Sequence, residues 1–219
     1  MWVAPDALVN GISRVHFHQA AASCWYVRSF NLGSPGCTTF GIEADAALAT
    51  QARRHCERVF ELDIEAQGER AELPRDLDVV LFGDVLEHLR DPWEVLSFAR
   101  TLLAPGGIAF VSVPNGVHWR ARSEIAHGRF PLKDSGTFDR THLRWFTLDS
   151  ARELAGRAGF EIVRERFTPA PLPLESLVRR LVGGTAEAPR FPFGHARWLL
   201  ARRAPRLFAL QFVLILRQA

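Results

Sequence analysis

Four side chains that can take part in acid–base or metal chemistry lie close together in one stretch: Asp84, Glu87, His88 and Asp91. They follow the apolar run 79–82, which is typical of a strand buried on both faces of a sheet, and Gly83 ends that run. In open α/β sheets, ligands and reacting groups gather at the carboxyl ends of the strands. The stretch therefore predicts a functional site. The alternative is a charged loop that only caps the next helix.

The composition indicates a soluble protein with one well-buried core. The chain has 219 residues, 47% of them hydrophobic, and a formal net charge of +3, which is too small to favour a nucleic-acid partner. Three cysteines without metal-binding spacing indicate a reducing compartment: Cys24, Cys37 and Cys56. The apolar run 207–216 is too short to span a bilayer, and no signal peptide is evident. We expect a cytoplasmic protein.

Strands and helices alternate along the chain, which predicts an α/β fold with a doubly wound, mostly parallel sheet. The predicted strands cover residues 37–42, 58–62, 77–82, 108–113, 160–167 and 207–217. The predicted helices start at three N-cap residues, Asp45, Asp91 and Thr147, and end near residues 57, 105 and 158. A weak helical pattern covers residues 2–10. We expect the second helix to end at the segment Pro105, Gly106 and Gly107.

We expect a single domain over residues 1–219 with two additions to this core. The first is a polar insertion at 116–147, rich in His, Arg and aromatic residues. The second is one or two basic amphipathic helices within residues 174–205, before the last strand. These helices, at 177–180 and 198–206, could touch an anionic membrane surface, but an ordinary solvated helix face is the favoured interpretation.

Several segments, in this order and spacing, resemble the class I S-adenosylmethionine-dependent methyltransferases, and most closely the branch that methylates oxygen atoms of small molecules. The segments are FGIEAD, VLFGDVLEHLRDPWEVL, LLAPGGIAFVSVPN and GTFDRTHLRWFTLDSARELAGRAGF, within residues 36–167. The resemblance implies a Rossmann-like, seven-stranded sheet whose last strand is antiparallel. It also implies that S-adenosylmethionine lies across the carboxyl ends of the first four strands, and that the acceptor is a small molecule.

The resemblance assigns cofactor-binding roles to five residues. Glu43 matches the acid that accepts hydrogen bonds from both ribose hydroxyls, and Asp63 with the N–H of Ile64 matches the adenine site. Gly83 and Asp84 match the place where the chain passes under the methionine part, where glycine permits close approach. The alternatives are a solvated helix cap for Glu43 and a turn residue for Asp63.

Two histidines, His88 and His142, are the candidates for the base that takes the acceptor proton, because the pKa of histidine lies near the working pH. Each could instead be an ordered histidine bonded to backbone. The pattern Asp84-x-x-Glu87-His88 with His142 also resembles the metal site of methyltransferases that make ubiquinone or cap small RNAs. It could hold Mg, Mn or Zn, although Asp84 stands where those families usually have Glu. An RNA substrate is disfavoured, since no RNA-binding module is present.

Three arginines of the insertion, Arg129, Arg140 and Arg144, could bind an acidic acceptor. The alternative is that Arg140 pairs with Asp139 and only fixes the loop. We expect Trp145 and Phe146 to pack rather than to stack on the acceptor.

The sequence departs from the family at its glycine-rich loop. Residues 15–35, where the loop is expected, have Gly33 as their first glycine, and no carboxylate lies between Ser13 and Gly41. Either a local frameshift or a true divergence of the loop would produce such an atypical segment between two segments that match the family. The alternative to an active enzyme is therefore a methyltransferase-like binding or scaffold module with impaired cofactor affinity.

Overall fold

The computed structural model describes residues 25–28, 38–172 and 193–219. Three sequence predictions lie outside them: the helix at 2–10, most of the expected glycine-loop region, and the basic segment at 177–180. The strands are β1 Trp25–Arg28, β2 Thr39–Ile42, β3 Arg58–Phe60, β4 Leu77–Gly83, β5 Leu103–Pro114, β6 Phe160–Pro169 and β7 Ala209–Gln218. The helices are α1 Ala46–Ala52, α2 Pro92–Arg100, α3 Trp119–Ala126, α4 Leu148–Arg157, α5 Phe193–Arg203 and α6 Pro205–Phe208, with 3-10 turns at Gln67–Glu72 and Leu86–His88.

These strands form one sheet in the order β3-β2-β1-β4-β5-β7-β6. The pairs β2/β3 and β4/β5 are parallel, and β7 is antiparallel to both β5 and β6. The α/β fold and the antiparallel last strand are confirmed. The prediction of a mostly parallel sheet is wrong, because four of the six strand pairs in the described residues are antiparallel.

Strand β1 corrects the expected topology, because it is antiparallel to both of its neighbours. It pairs with β2 over four residues but with β4 only through Tyr26 and Leu81. The chain between β1 and β2 contains only residues 29–38, whereas a parallel crossover usually needs about a dozen residues or more. An antiparallel pair is the arrangement that this short connection permits.

The three predicted N-caps are confirmed. Asp45 accepts hydrogen bonds from the N–H groups of Ala47 and Leu48, and Asp91 accepts one from the N–H of Glu94. Thr147 forms a reciprocal capping box with Ser150. These short-range hydrogen bonds explain where α1, α2 and α4 begin.

The end of α2 differs from the prediction. The helix ends at Arg100, and β5 already begins at Leu103, so the Pro-Gly-Gly segment lies inside the strand rather than after the helix. A Cβ on Gly107 would lie 2.8 Å from the carbonyl oxygen of Leu77. Glycine is needed here because the backbones of β4 and β5 approach closely beside the register shift after Leu77.

The insertion contains a helix, α3, that the sequence did not predict. Its N-cap is His118, whose Nδ1 accepts from the N–H of Arg120 and whose Nε2 lies 3.1 Å from Oγ1 of Thr137. Burial, assisted by the nearby Arg120, lowers the pKa of His118 to about 4. The imidazole is therefore neutral near pH 7 and can accept the capping hydrogen bond.

The main core is formed by the central strands and by α2 and α4, which contact each other and the sheet. Its largest fully buried aliphatic and aromatic side chains include Leu96 of α2, Leu154 of α4, and Phe212 and Leu214 of β7. A separate small cluster lies at α1. No helix in the described part of the chain has the length and apolar character needed to cross a membrane.

Asn115 is expected to be a major stabilising residue at the end of β5. Its buried amide donates to the carbonyl of Ala209 at 2.9 Å and accepts from the N–H of Val117 at 3.0 Å. Asn115→Ala leaves these groups unsatisfied and should lower the free energy of unfolding by about 1–3 kcal/mol. Urea denaturation measures the free energy of unfolding of the variant and of the wild type. Gln67→Ala, at an exposed amide, is the control, and equal stabilities of the two variants would contradict the prediction.

Candidate functional site

The end of β4 combines open space with an unusual backbone conformation. A Cβ added to Gly83, the last residue of the strand, would meet no atom within 4 Å. Asp84, the next residue, has φ of 55°, a left-handed region that few residues other than glycine adopt and in which aspartate is one of the better tolerated. Strained residues of this kind are concentrated at binding and catalytic sites. The 3-10 turn Leu86–His88 follows and brings Glu87 and His88 to the same end of the sheet.

Glu87 is fully buried, with 0% of its surface exposed. Neither carboxylate oxygen has a hydrogen-bond partner among the described residues. Burial raises the pKa of Glu87 well above its ordinary value, and the carboxylates of Asp84 and Asp139 raise it further. A buried carboxyl group without partners costs stability, and such groups are a frequent property of functional sites.

Two imidazoles lie beside this carboxyl group. The Nε2 of His142 is 3.9 Å from Oε1 of Glu87, and the rings of His88 and His142 meet edge to face with centroids 4.8 Å apart. One ligand atom from each of Glu87, His88 and His142 lies within 4.8 Å of the others. The structure therefore brings together three of the four residues that the sequence suggested as metal ligands.

His142 is buried, and its environment favours the neutral imidazole. Burial lowers its pKa, and His88 lowers it further, while Asp139 and the backbone of Thr137 act in the opposite direction. A neutral histidine can accept a proton or bind a metal ion, which a protonated one cannot do.

Asp84, the fourth suggested ligand, lies outside this group. Its Oδ1 accepts from the hydroxyl of Ser112 at 2.8 Å, and its Oδ2 accepts from the amide of Gln211 at 2.6 Å. Burial raises the pKa of Asp84, although these hydrogen bonds and His88 oppose the shift. Both carboxylate oxygens are already bound by neighbouring strands, so the structure does not place Asp84 with the three clustered side chains.

The sequence does not identify two further members of the site, Thr141, which contacts His88, and Asp139, which bonds to Thr141. Thr141 places its carbonyl oxygen 3.2 Å and its hydroxyl 3.1 Å from Nδ1 of His88. The same hydroxyl donates to Asp139 at 2.6 Å. Burial alone would raise the pKa of Asp139, but the hydrogen bonds from Thr141 and the two histidines lower it overall. The signal in the sequence was the spacing Asp139-Arg140-Thr141-His142, an acid two residues before a hydroxyl in a turn.

The other residues suggested for the cofactor follow strands β2 and β3. Glu43 directly follows β2 and is 1% exposed, and its Oε1 accepts from the N–H of Asp45. Asp63 is exposed, and its Oδ1 accepts from the N–H of Glu65. Ile64 is buried, and its carbonyl accepts from Nε of Arg70 at 2.6 Å. Arg70 in turn forms two 2.6 Å hydrogen bonds to Glu94 of α2, which holds this turn against the helix.

The three arginines of the insertion all have partners within the chain. Arg129 pairs with Glu124 at 2.7 Å, and Arg140 pairs with Asp134 at 2.9 Å rather than with Asp139, so the alternative pairing was wrong. Arg144 donates to the carbonyl of Arg90 and lies over the ring of Trp93. Its Nε is buried without a hydrogen-bond partner in the part of the chain that the structure describes.

The two aromatic residues after Arg144, Trp145 and Phe146, differ in their burial. Phe146 is buried in the main core, as predicted. Trp145 is 38% exposed, with its ring 5.0 Å from that of Phe130 and its Nε1 bonded to the carbonyl of Thr137.

The sequence of residues 26–165 matches the family model described as a methyltransferase domain. This match covers more than half of the chain. The chain belongs to the class I S-adenosylmethionine-dependent methyltransferases. The resemblance of its motifs to this family is therefore confirmed.

Relatives with assigned names agree with this family. A ubiquinone biosynthesis O-methyltransferase from Stutzerimonas stutzeri is 38% identical over 84 residues, which cover 36% of each chain. The enzyme of the same name from Dinoroseobacter shibae is 31% identical over 137 residues, or 60% of this chain and 54% of that protein. The methyltransferase chain thus spans about one third to one half of the length of these curated relatives.

Solved methyltransferase structures share the fold. The S-adenosylmethionine-dependent methyltransferase from Thermotoga maritima has a TM-score of 0.53 and 17% identity, with 82% of this chain and 72% of that chain covered. The methyltransferase from Archaeoglobus fulgidus has a TM-score of 0.51 and 17% identity, with 82% and 75% covered. At this identity, the likeness concerns the Rossmann-like fold alone.

The described residues of this methyltransferase fit the family cofactor at two places. Glu43 presents a buried carboxylate at the end of β2, and a carboxylate can accept two hydrogen bonds from a diol. Gly83 leaves open space at the end of β4, where a ligand can approach the backbone. The expected glycine loop at 15–35 lies outside the described residues except for the backbone of β1.

The group of Glu87, His88 and His142 also fits a divalent ion in its donor chemistry. One carboxylate and two imidazoles suit Zn, Mn or Mg to different degrees. Metal–nitrogen bonds of about 2.1 Å place two ligands at most about 4.2 Å apart. Because the ligand atoms are up to 4.8 Å apart, the side chains must move inward to bind an ion.

Proposed function

We propose that this chain methylates a hydroxyl oxygen of a small-molecule acceptor. S-adenosylmethionine, when bound, supplies a methyl group activated by its attachment to a positively charged sulfur. The observation that carries the proposal is the buried carboxyl group of Glu87, which has no hydrogen-bond partner among the described residues and lies beside His142 at the carboxyl end of β4. The names of the partly matching ubiquinone O-methyltransferases support oxygen as the methyl acceptor.

His88 and His142 are the proposed proton acceptors. A hydroxyl becomes a competent nucleophile when a neighbouring base takes its proton. Burial keeps the pKa of His142 low enough for the ring to be neutral near pH 7, and Glu87 would stabilise the positive charge that the ring gains. Positioning of the acceptor oxygen by these side chains then contributes much of the rate.

A divalent ion held by Glu87, His88 and His142 would supply a second way to lower the pKa of the acceptor hydroxyl. We propose this site without Asp84, since Ser112 and Gln211 hold that carboxylate. The positive charge of the ion would neutralise the negative charge of Glu87, and this would offset the cost of burying the carboxylate.

For the cofactor, we propose that Glu43 accepts hydrogen bonds from the ribose hydroxyls. Asp63 and Ile64 contact the adenine, and Gly83 and Asp84 lie beside the methionine part.

We propose Arg144 as the residue that binds an acidic acceptor. Its backbone N–H donates to the carbonyl of Glu87, and its side-chain Nε has no hydrogen-bond partner among the described residues. Arg129 and Arg140 are already paired with acidic neighbours.

The direct test is transfer of an isotopically labelled methyl group to a panel of phenols and catechols, with the product located by mass spectrometry and NMR. We expect a labelled methoxy product, and His142→Ala should lower its rate of formation by about 10²–10⁴-fold. His127→Ala, at an exposed histidine of the insertion, is the matched control. Labelling of nitrogen or carbon instead of oxygen would contradict the proposal, as would equal rates for the two variants.

A second candidate function is favoured by one observation, the missing glycine-rich pattern in residues 15–35. In that case the chain is a methyltransferase-like binding or scaffold module that does not hold the cofactor. Calorimetric titration with S-adenosylhomocysteine separates the two, since the module would produce no heat at millimolar ligand.

A further inference from the structure

The segment from Asp139 to His142 makes a set of contacts that converge on His88. The hydroxyl of Thr141 donates to Oδ1 of Asp139 at 2.6 Å, and the N–H of Thr141 donates to the same oxygen at 2.8 Å. Asp139 is buried, so these contacts are shielded from water. On its other side, Thr141 presents its carbonyl and its hydroxyl to Nδ1 of His88.

These contacts determine where the proton of His88 lies. A backbone carbonyl can only accept a hydrogen bond, so Nδ1 of His88 must carry hydrogen to bind it. The hydroxyl of Thr141 gives its own hydrogen to Asp139, which leaves a lone pair toward the same Nδ1–H. In a neutral imidazole only one nitrogen carries hydrogen. Nε2 of His88 is then the nitrogen with the free lone pair.

Asp139 also places the second histidine. Its carbonyl accepts from the N–H of His142 at 3.1 Å, which closes the turn between them. The N–H groups of Leu143 and Arg144 then donate to the carbonyl of Glu87 at 2.8 and 3.1 Å. This turn therefore connects the ring of His88 with the backbone of His142 and the backbone of Glu87.

We propose that Asp139 and Thr141 are positioning residues that hold His88 with hydrogen on Nδ1 and its Nε2 lone pair available to the site. The chemical purpose of this arrangement rests on the proposed function, whether Nε2 accepts a proton or binds a metal ion. The hydrogen-bonding partner of a histidine determines which ring nitrogen is protonated.

The position of the hydrogen is measured by ¹⁵N-edited NMR of the histidine side chains at pH 8, in the presence of a chelator and without cofactor. We expect the wild type to have His88 predominantly in the Nδ1–H form. Asp139→Ala frees the hydroxyl of Thr141 to donate to Nδ1, so it should raise the fraction of the Nε2–H form. Thr141→Val removes one of the two acceptors at Nδ1 but keeps the backbone carbonyl, so it should raise that fraction by a smaller amount. Thr141→Ser and Asp139→Asn keep the required hydroxyl and acceptor, so both should retain the wild-type spectrum and show that the fold persists.

The side chain of Thr137 offers a matched control, since only the backbone of this residue acts on His142. Thr137 makes the same kind of hydroxyl–imidazole contact with His118, at 3.1 Å. Thr137→Val should change the signals of His118 and leave those of His88 as in the wild type. A His88 that carries its hydrogen on Nε2 in the wild type would overturn the proposal. An unchanged His88 in both Thr141→Val and Asp139→Ala would also overturn it.

Metal affinity provides a second readout that is independent of methyl transfer. Titration with Zn²⁺ or Mn²⁺ should give an affinity about 10–100-fold weaker for Thr141→Val than for the wild type, because residues that orient a metal ligand contribute this much. Thr141→Ser should bind the ion with the affinity of the wild type. Equal affinities of Thr141→Val and the wild type would contradict the proposal.

If no methyl transfer is found but the NMR pattern holds, only the proposed function fails. If methyl transfer occurs and His88 has the Nε2–H form, only this inference fails.

Discussion

Glu43→Ala is expected to weaken the binding of S-adenosylhomocysteine by at least about 100-fold. The carboxylate of Glu43 is buried at the carboxyl end of β2, where it can accept from both hydroxyls of a ribose. Each hydrogen bond to a charged group contributes about 1.5–3 kcal/mol. Loss of two such bonds corresponds to about 3–6 kcal/mol, and about 1.4 kcal/mol is a factor of ten in Kd. Isothermal titration calorimetry measures the change.

Glu43→Gln distinguishes binding from folding. This variant keeps the side-chain volume and the oxygen that accepts from the N–H of Asp45, but it has only one acceptor oxygen for the diol. We expect an affinity between those of the wild type and Glu43→Ala. Glu57→Ala removes an exposed carboxylate at the opposite, amino end of the neighbouring strand β3 and should bind as the wild type does. Wild-type affinity in Glu43→Ala would show that the ribose does not contact this residue.

Glu87→Gln is expected to stabilise the folded protein while it removes the capacity to bind a divalent ion. The pKa of Glu87 is raised in the folded state, mainly by burial, so folding disfavours the charged carboxylate. Removal of the charge should raise the free energy of unfolding near pH 8 by about 1 kcal/mol or more, because each unit by which a pKa is raised corresponds to about 1.4 kcal/mol. For a protein of this size, Tm should rise by about 2–4 °C.

The pH dependence follows from the same shift. A raised pKa means that the charged group destabilises the fold at pH values above the folded pKa. This penalty disappears as the pH falls through the folded pKa toward the ordinary value of 4.5. The difference in Tm between Glu87→Gln and the wild type should therefore be largest near pH 8 and shrink toward pH 5, in thermal denaturation with a chelator present.

Added Zn²⁺ or Mn²⁺ should reverse the order of the two proteins. An ion that binds only the folded wild type raises its Tm by mass action, and Glu87→Gln should not respond. Glu153→Gln changes an exposed glutamate of α4 and is the control for unspecific charge effects. A Glu87→Gln protein that is less stable than the wild type at every pH would mean that the carboxylate stabilises the fold.

The sequence was informative where the physics is local. Asp45, Asp91 and Thr147 were assigned as N-caps because each cap bonds to a backbone group two or three residues away. The strand β4 and the polar residues after it were also recognisable, since a buried strand has a continuous apolar pattern. These features identified the end of the sheet at which Glu87 and His142 meet.

The parts that the sequence did not predict depend on contacts between distant segments. Asp84 was assigned to the metal site because of its spacing from Glu87, but its carboxylate is held by Gln211, 127 residues away. Thr141 contacts His88 across 53 residues, and no short-range pattern indicates that contact. The helix α3 was missed because its mainly polar face and its histidine cap are not typical start signals.

The carbonyl of Glu87 couples the positions of two segments that are distant in the sequence. The residue whose carboxyl group faces the imidazoles also receives, through its backbone, the N–H groups of Leu143 and Arg144. A backbone shift of the Leu86–His88 turn must therefore displace the segment that carries His142. A substitution that displaces one of these segments alone breaks two main-chain hydrogen bonds. The Leu86–His88 turn and the segment that carries His142 are therefore expected to move as one unit, although they lie far apart in the sequence.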